Sequence, residues 1–207
     1  MRRLTKRLTF SLILLVAAAA GGVAALYLMP VSVALGPCLK DWTNLTSYRR
    51  RESPLDYARL ITAQGQIKIC YGRPSARGRI IFGSLIPYGE YWRIGANEPT
   101  RVYTDLTLRI GDVEVPPGRY SLYALPGREH WELIVNRSTG HWGNEFSPRV
   151  LAREVGRDTL PVGRTRGFVE ALTIRLEATA ANEGAMTIAW EHTRIDVPLA
   201  WRTEQAP

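Results

Sequence analysis

Residues 102–125 read VYTDLTLRIGDVEVPPGRYSLYAL, and the spacing inside this run decides the fold class. Val102, Leu106, Leu108 and Ile110 share one register, Gly111-Asp112 supplies a turn, and Val113-Glu114-Val115 alternates. After Pro117-Gly118, one face is taken up again by Tyr120, Leu122 and Ala124. Apolar residues at every second position, bounded by Gly and Pro, mark half-buried strands, whereas a helix would bring them round every three to four positions.

The pattern repeats outward from this run. Residues 66–71 place Ile67 and Ile69 on one face, and 131–136 do the same with Trp131, Leu133 and Val135. Residues 168–176 alternate again, and 186–190 with 193–197 read as a late hairpin. Residues 148–155 are the one helical stretch in this region, while 57–63 fit a short helix or an extra strand. Regularly spaced short strands with little helix between them predict an all-β fold, an antiparallel β-sandwich of jelly-roll type. The expected boundaries are a basic tail (1–7), an apolar helix (8–29), a connector (30–65), the sandwich (66–200) and a short tail (201–207).

The apolar helix rests on charge. Arg2, Arg3, Lys6 and Arg7 precede it, and the next charged residue is Lys40. Residues 8–29 would make a helix of about 33 Å, which matches a hydrocarbon core of about 30 Å. The positive-inside rule then leaves the N-terminus in the cytoplasm and the rest outside an inner membrane. The alternative is a cleaved signal peptide ending at Ala18-Ala19-Ala20, which would release the domain to the periplasm or the medium. Cleavage there leaves the apolar start Gly-Gly-Val-Ala-Ala-Leu, which favours a retained anchor.

The chain of 207 residues carries a net charge of +8, of which the first seven residues supply four. The remaining balance is too mild for nucleic-acid binding, and no groove-reading motif accompanies it. His130, His141 and His192 lack metal-ligand spacing, and no pattern calls for a cofactor. Cys38 and Cys70 both fall on the exported side, where an oxidising compartment permits a disulfide; two free thiols fit the sequence as well.

Residues 72–100 break the alternation. They are dense in Gly, Pro, Arg and aromatics, and a loop of this length inside a domain is usually functional or disordered. Its aromatic content argues for order. The runs Tyr71-Gly72-Arg73-Pro74, Gly78-Arg79-Ile80-Ile81-Phe82-Gly83 and Pro87-Tyr88-Gly89-Glu90-Tyr91-Trp92-Arg93-Ile94-Gly95-Ala96-Asn97-Glu98 belong to this segment. Together with Pro117-Gly118-Arg119-Tyr120-Ser121-Leu122 and Trp142-Gly143, they resemble a bacterial exported family known as domain of unknown function 2911. The resemblance covers about residues 53–199 and implies a fold and a location but no reaction. The family's Tyr-containing stretch after Trp-Gly is replaced here by Gly143-Asn144-Glu145-Phe146.

Residue types in the segment suit binding. Tyr88, Tyr91, Trp92 and Trp142 offer flat apolar faces, while Arg73, Arg79, Arg93, Asn97 and Glu98 offer hydrogen bonds. An envelope glycan, a small anion or a protein partner fits that mixture, alongside membrane contact through residues 8–29. Two alternatives stand beside it. Glu90 and Glu98 form a carboxylate pair of the kind used in glycoside hydrolysis. Trp92 plugging the sandwich, with Glu98 paired to Arg93 or Arg73, would make the segment a folding device in a purely structural envelope component.

Overall fold

The computed structural model describes Cys38 and residues 52–141, 143 and 146–203. The apolar stretch 8–29, the basic tail and Trp142 lie outside the described residues. Among the described residues, no helix is long and apolar enough to cross a membrane.

Two antiparallel sheets form a sandwich. The first has six strands in the order β1 (Leu55–Ile61), β2 (Gln66–Gly72), β3 (Thr100–Thr104), β6 (Gly118–Pro126), β7 (His130–Asn136) and β8 (Glu154–Pro161). The second has four, in the order β5 (Val113–Val115), β4 (Thr107–Ile110), β10 (Glu183–Arg202) and β9 (Gly163–Ala180). Only β3–β6 and β4–β10 pair out of sequence; the other six pairings join strands that follow one another in the chain. That departs from the expected jelly roll, in which Greek keys carry the chain repeatedly between the sheets.

Alternation buries Ile67, Ile69, Val102, Tyr120, Leu122, Leu133 and Val135 from one sheet against Leu108, Ile110, Ile188, Val197 and Leu199 from the other. The expected single strand over 102–110 is two strands. Thr104 Oγ1 accepts from the Leu106 amide at 3.0 Å and donates to its carbonyl at 3.0 Å. The chain turns on that pair and changes sheet without losing the buried register of Val102, Leu106 and Leu108.

Three other boundaries move. The segment read as connector contains β1, whose seven residues pair with β2, so the sheet begins at Leu55. The expected helix over 148–155 is the four-residue α1 (Pro148–Leu151), and Val155 belongs to β8. The late hairpin is a single strand, β10. Glu191 absorbs the irregularity at a bulge with φ 51°, which kept the two halves looking separate in the sequence. Finally, Cys38 and Cys70 are joined by a disulfide, which packs on Tyr103 outside the six-stranded sheet.

Residues 73–99 contain no extended strand but are part of the core. Ala76, Ile81, Phe82, Ile86, Trp92 and Ile94 are all buried between the sheets. Phe82 meets Trp131 at 5.0 Å and Trp92 at 5.7 Å, and Trp92 stacks on Trp190 at 6.1 Å. The two ends of the segment touch at Gly72, where a Cβ would lie 1.9 Å from the Ala96 carbonyl oxygen. No other residue fits there.

Candidate functional site

The segment is held from three sides. The Ala76 amide donates to Glu170 O on β9 at 2.7 Å, and the Leu172 amide donates to Pro74 O at 2.9 Å. The bulge turns the Glu191 carboxylate towards the segment, where it accepts from the Ile81 amide at 3.0 Å. Trp92 exchanges backbone hydrogen bonds with Ala124, each 2.8 Å, extending the ladder of β6. Ile94 follows at φ 53°, a left-handed conformation that a β-branched side chain rarely adopts, and it is fully buried.

This arrangement opens a cavity of about 300 Å³. Arg77, Arg79 and Arg93 line it, with edges of Trp92 and Trp190 and the backbone around Ser75. Two of the arginines are occupied. Arg77 meets Glu52 at 3.4 Å, and Arg79 donates to Ala76 O and Ser75 O at 2.9 and 2.8 Å. Arg93 differs: its Nε is buried and has no hydrogen-bond partner. Burial pushes the Arg93 pKa down, against the opposing charges of Glu98 and Tyr123.

The residues singled out in the sequence divide accordingly. Arg79, Trp92 and Arg93 meet at the cavity. Arg73 instead donates to Leu172 O at 3.2 Å and faces Asp56 at 3.6 Å. Asn97 takes φ 66° and donates from its side chain to Ser53 O at 3.3 Å. Tyr88 lies under Arg128, whose guanidinium is 4.9 Å from the ring centre, beside a different and smaller cavity. Glu98 is 2% exposed, and its charge acts on Arg93. Glu90 is exposed, and neither carboxylate lines the Arg93 cavity. The two carboxylates therefore do not flank a common cleft at that cavity, as a glycoside hydrolase would require there.

A second concavity, of about 730 Å³, lies between the turn before β6 and residues 137–141 and 149–153. Arg119, Arg137, Arg149 and Arg153 line it, with Ser138, Thr139, Gly140 and His141. Next to the lining, the outer face of the six-stranded sheet carries Arg101, Ser121, Tyr123 and Asn136, which hydrogen-bond to Thr139, Ser138, His141 and Val150. Burial pushes the Arg101 pKa down; Tyr103 and Tyr123 oppose that effect and Arg119 adds to it. Arg101 Nε donates to Thr139 O at 2.9 Å, Ser121 Oγ to Ser138 O at 2.7 Å, and the Ser138 amide to Asn136 Oδ1 at 2.7 Å. His141 bridges Ser138 Oγ, 3.1 Å from Nδ1, to the Tyr123 hydroxyl at Nε2.

Sequence reasoning passed over this group because its members come from β3, β6, β7 and the turn to α1. The available signal was the polar set at every second position, Arg119, Ser121 and Tyr123, on a strand whose inner face was already assigned. Among the described residues, no cluster of His, Cys, Asp and Glu could hold a metal ion.

A family model described as "Protein of unknown function (DUF2911)" matches residues 53–199. No curated protein and no solved structure matches the chain.

Proposed function

We propose that this chain, which belongs to the DUF2911 family of proteins of unknown function, is an exported binding module that takes the carboxylate of an acidic envelope sugar at the Arg93 cavity. The observation that carries this reading is the buried, unpartnered Nε of Arg93 beside the cavity. Leaving such a donor unmatched costs about 1–3 kcal/mol, which a carboxylate acceptor would recover as a charge-assisted hydrogen bond. Trp92 and Trp190 supply flat apolar edges for a sugar ring, and the cavity volume suits one monosaccharide unit.

Calorimetric titration of the domain with glucuronate and with glucose, at matched ionic strength, tests this. Glucuronate should bind and glucose should not, and Arg93→Met should weaken glucuronate at least about tenfold, the loss of one charge-assisted bond. Equal binding of both sugars, or unchanged affinity in Arg93→Met, overturns the reading.

Residues 8–29 would hold the module at the outer side of the inner membrane. The full chain should then stay in the membrane pellet after an alkaline wash, with its domain open to external protease. Recovery of a soluble chain shortened at its N-terminus would assign the segment as a signal peptide instead.

A further inference from the structure

We propose that the cavity between residues 116–120, 137–141 and 149–153 is a second binding site, for a ligand bearing two or more linked phosphate groups. Four arginines line it and, among the described residues, no acidic one does. Among the described residues, none of Arg119, Arg137, Arg149 and Arg153 forms a side-chain hydrogen bond or an ion pair. That separates them from Arg77, Arg157, Arg194 and Arg202, each of which meets a carboxylate within 3.4 Å.

The backbone that carries the four arginines is fixed. The Arg137 amide donates to Arg153 O at 2.9 Å, which ties the loop after β7 to the residue before β8. Asn136, 1% exposed, donates from Nδ2 to Val150 O at 2.8 Å and anchors α1, which carries Arg149. Ser138 and Thr139 are pinned from below by Ser121 and Arg101, and Ser138 and His141 hold each other's side chains. The Ser138 hydroxyl and the His141 imidazole are thus set at the wall before any ligand arrives, and only the arginine arms remain to close.

Charge chooses the ligand. Four guanidinium groups round one concavity repel each other, and a single carboxylate would offset only one of them. Linked phosphates supply several negative charges on oxygens that match the guanidinium fork. A volume of about 730 Å³ holds two such groups, whereas the Arg93 cavity at about 300 Å³ is the smaller, single-group site. The same chemistry is offered by a free diphosphate and by a lipid with a diphosphate headgroup, and both would be presented outside the cytoplasm if the domain is exported.

Inorganic diphosphate is the first probe, titrated by calorimetry into the soluble domain against sulfate at equal ionic strength. Diphosphate should bind one to one and at least about tenfold more tightly than sulfate, weakening steeply with added salt. The double variant Arg137→Gln/Arg153→Gln should lose at least about thirtyfold, while Arg93→Met leaves diphosphate binding unchanged. This last result keeps the two sites distinguishable. Co-sedimentation with phosphatidylcholine vesicles, with and without a lipid that carries a diphosphate headgroup, separates the sources. Capture only by the vesicles that carry that lipid, reversed by free diphosphate, assigns the headgroup; no capture with retained diphosphate binding assigns a soluble ligand. Diphosphate binding no tighter than sulfate, or within twofold of wild type in the double variant, overturns the proposal.

Discussion

The two arginine-lined cavities differ in what their arginines already do. Around the Arg93 cavity, Arg77 and Arg79 spend their donors on Glu52 and on backbone carbonyls, and the wall is built from core residues such as Trp92. Around the Arg137 cavity, the arginines are exposed, and the residues beneath them supply the rigidity. A guanidinium that satisfies a carbonyl holds the chain in shape, while one facing solvent over a fixed floor is left for something else. The first cavity is therefore part of the fold, and the second is a feature placed on it.

That contrast can be broken most directly at Trp92. Trp92→Ala removes a side chain packed on Phe82, Trp131 and Trp190, and should cost about 3–5 kcal/mol in chemical denaturation. A loss below about 1 kcal/mol would mean the segment sits on the sandwich and is not built into it.

A smaller effect is expected at alkaline pH from Tyr71, which accepts from the Ile174 amide at 3.2 Å and donates to Asp56 at 3.3 Å. Burial pushes its pKa up to about 12. Its ordinary value near 10 holds in the unfolded chain, so the unfolded state loses the proton first. The Tyr71 contribution should be whole below pH 10 and decline between pH 10 and 12, by roughly 2 kcal/mol in all. Comparing Tyr71→Phe with wild type across that window isolates the residue; parallel pH profiles would show that Tyr71 does not bridge the sheets as described.

The smallest stability effect is predicted for Arg137→Gln/Arg153→Gln, within about 0.5 kcal/mol of wild type because neither side chain has an internal partner. A substantial loss of stability would place those arginines with Arg77 and Arg79, as parts of the scaffold, and erase the difference between the two cavities.

Much of the sandwich was legible from one chemical rule. Period-two burial at Ile67, Val102, Leu108, Leu122 and Leu133 required strands, and the disruption after Gly72 required a segment of another kind. The same rule misjudged the places where tertiary contacts take over. Thr104 turns the chain between sheets inside an unbroken apolar register, and Glu191 bulges inside β10 without a Gly or Pro to announce it. Within the candidate site, aromatic and Arg content led to Trp92, Arg79 and Arg93. It could not separate them from Arg73, Tyr88 and Asn97, because which carbonyl or ring each one meets depends on residues distant in the chain, such as Leu172 and Arg128.

By itself, then, the sequence determined the family, the all-β class and the position of the irregular segment, because local periodicity and turn chemistry are written residue by residue. Tertiary structure alone decided that Trp92 faces inward, that Glu90 and Glu98 differ in burial, and that Arg119, Ser138, His141 and Arg153 share one concavity. Those facts depend on β3, β6 and β7 lying side by side, and adjacency across a sheet has no signature in the spacing along the chain.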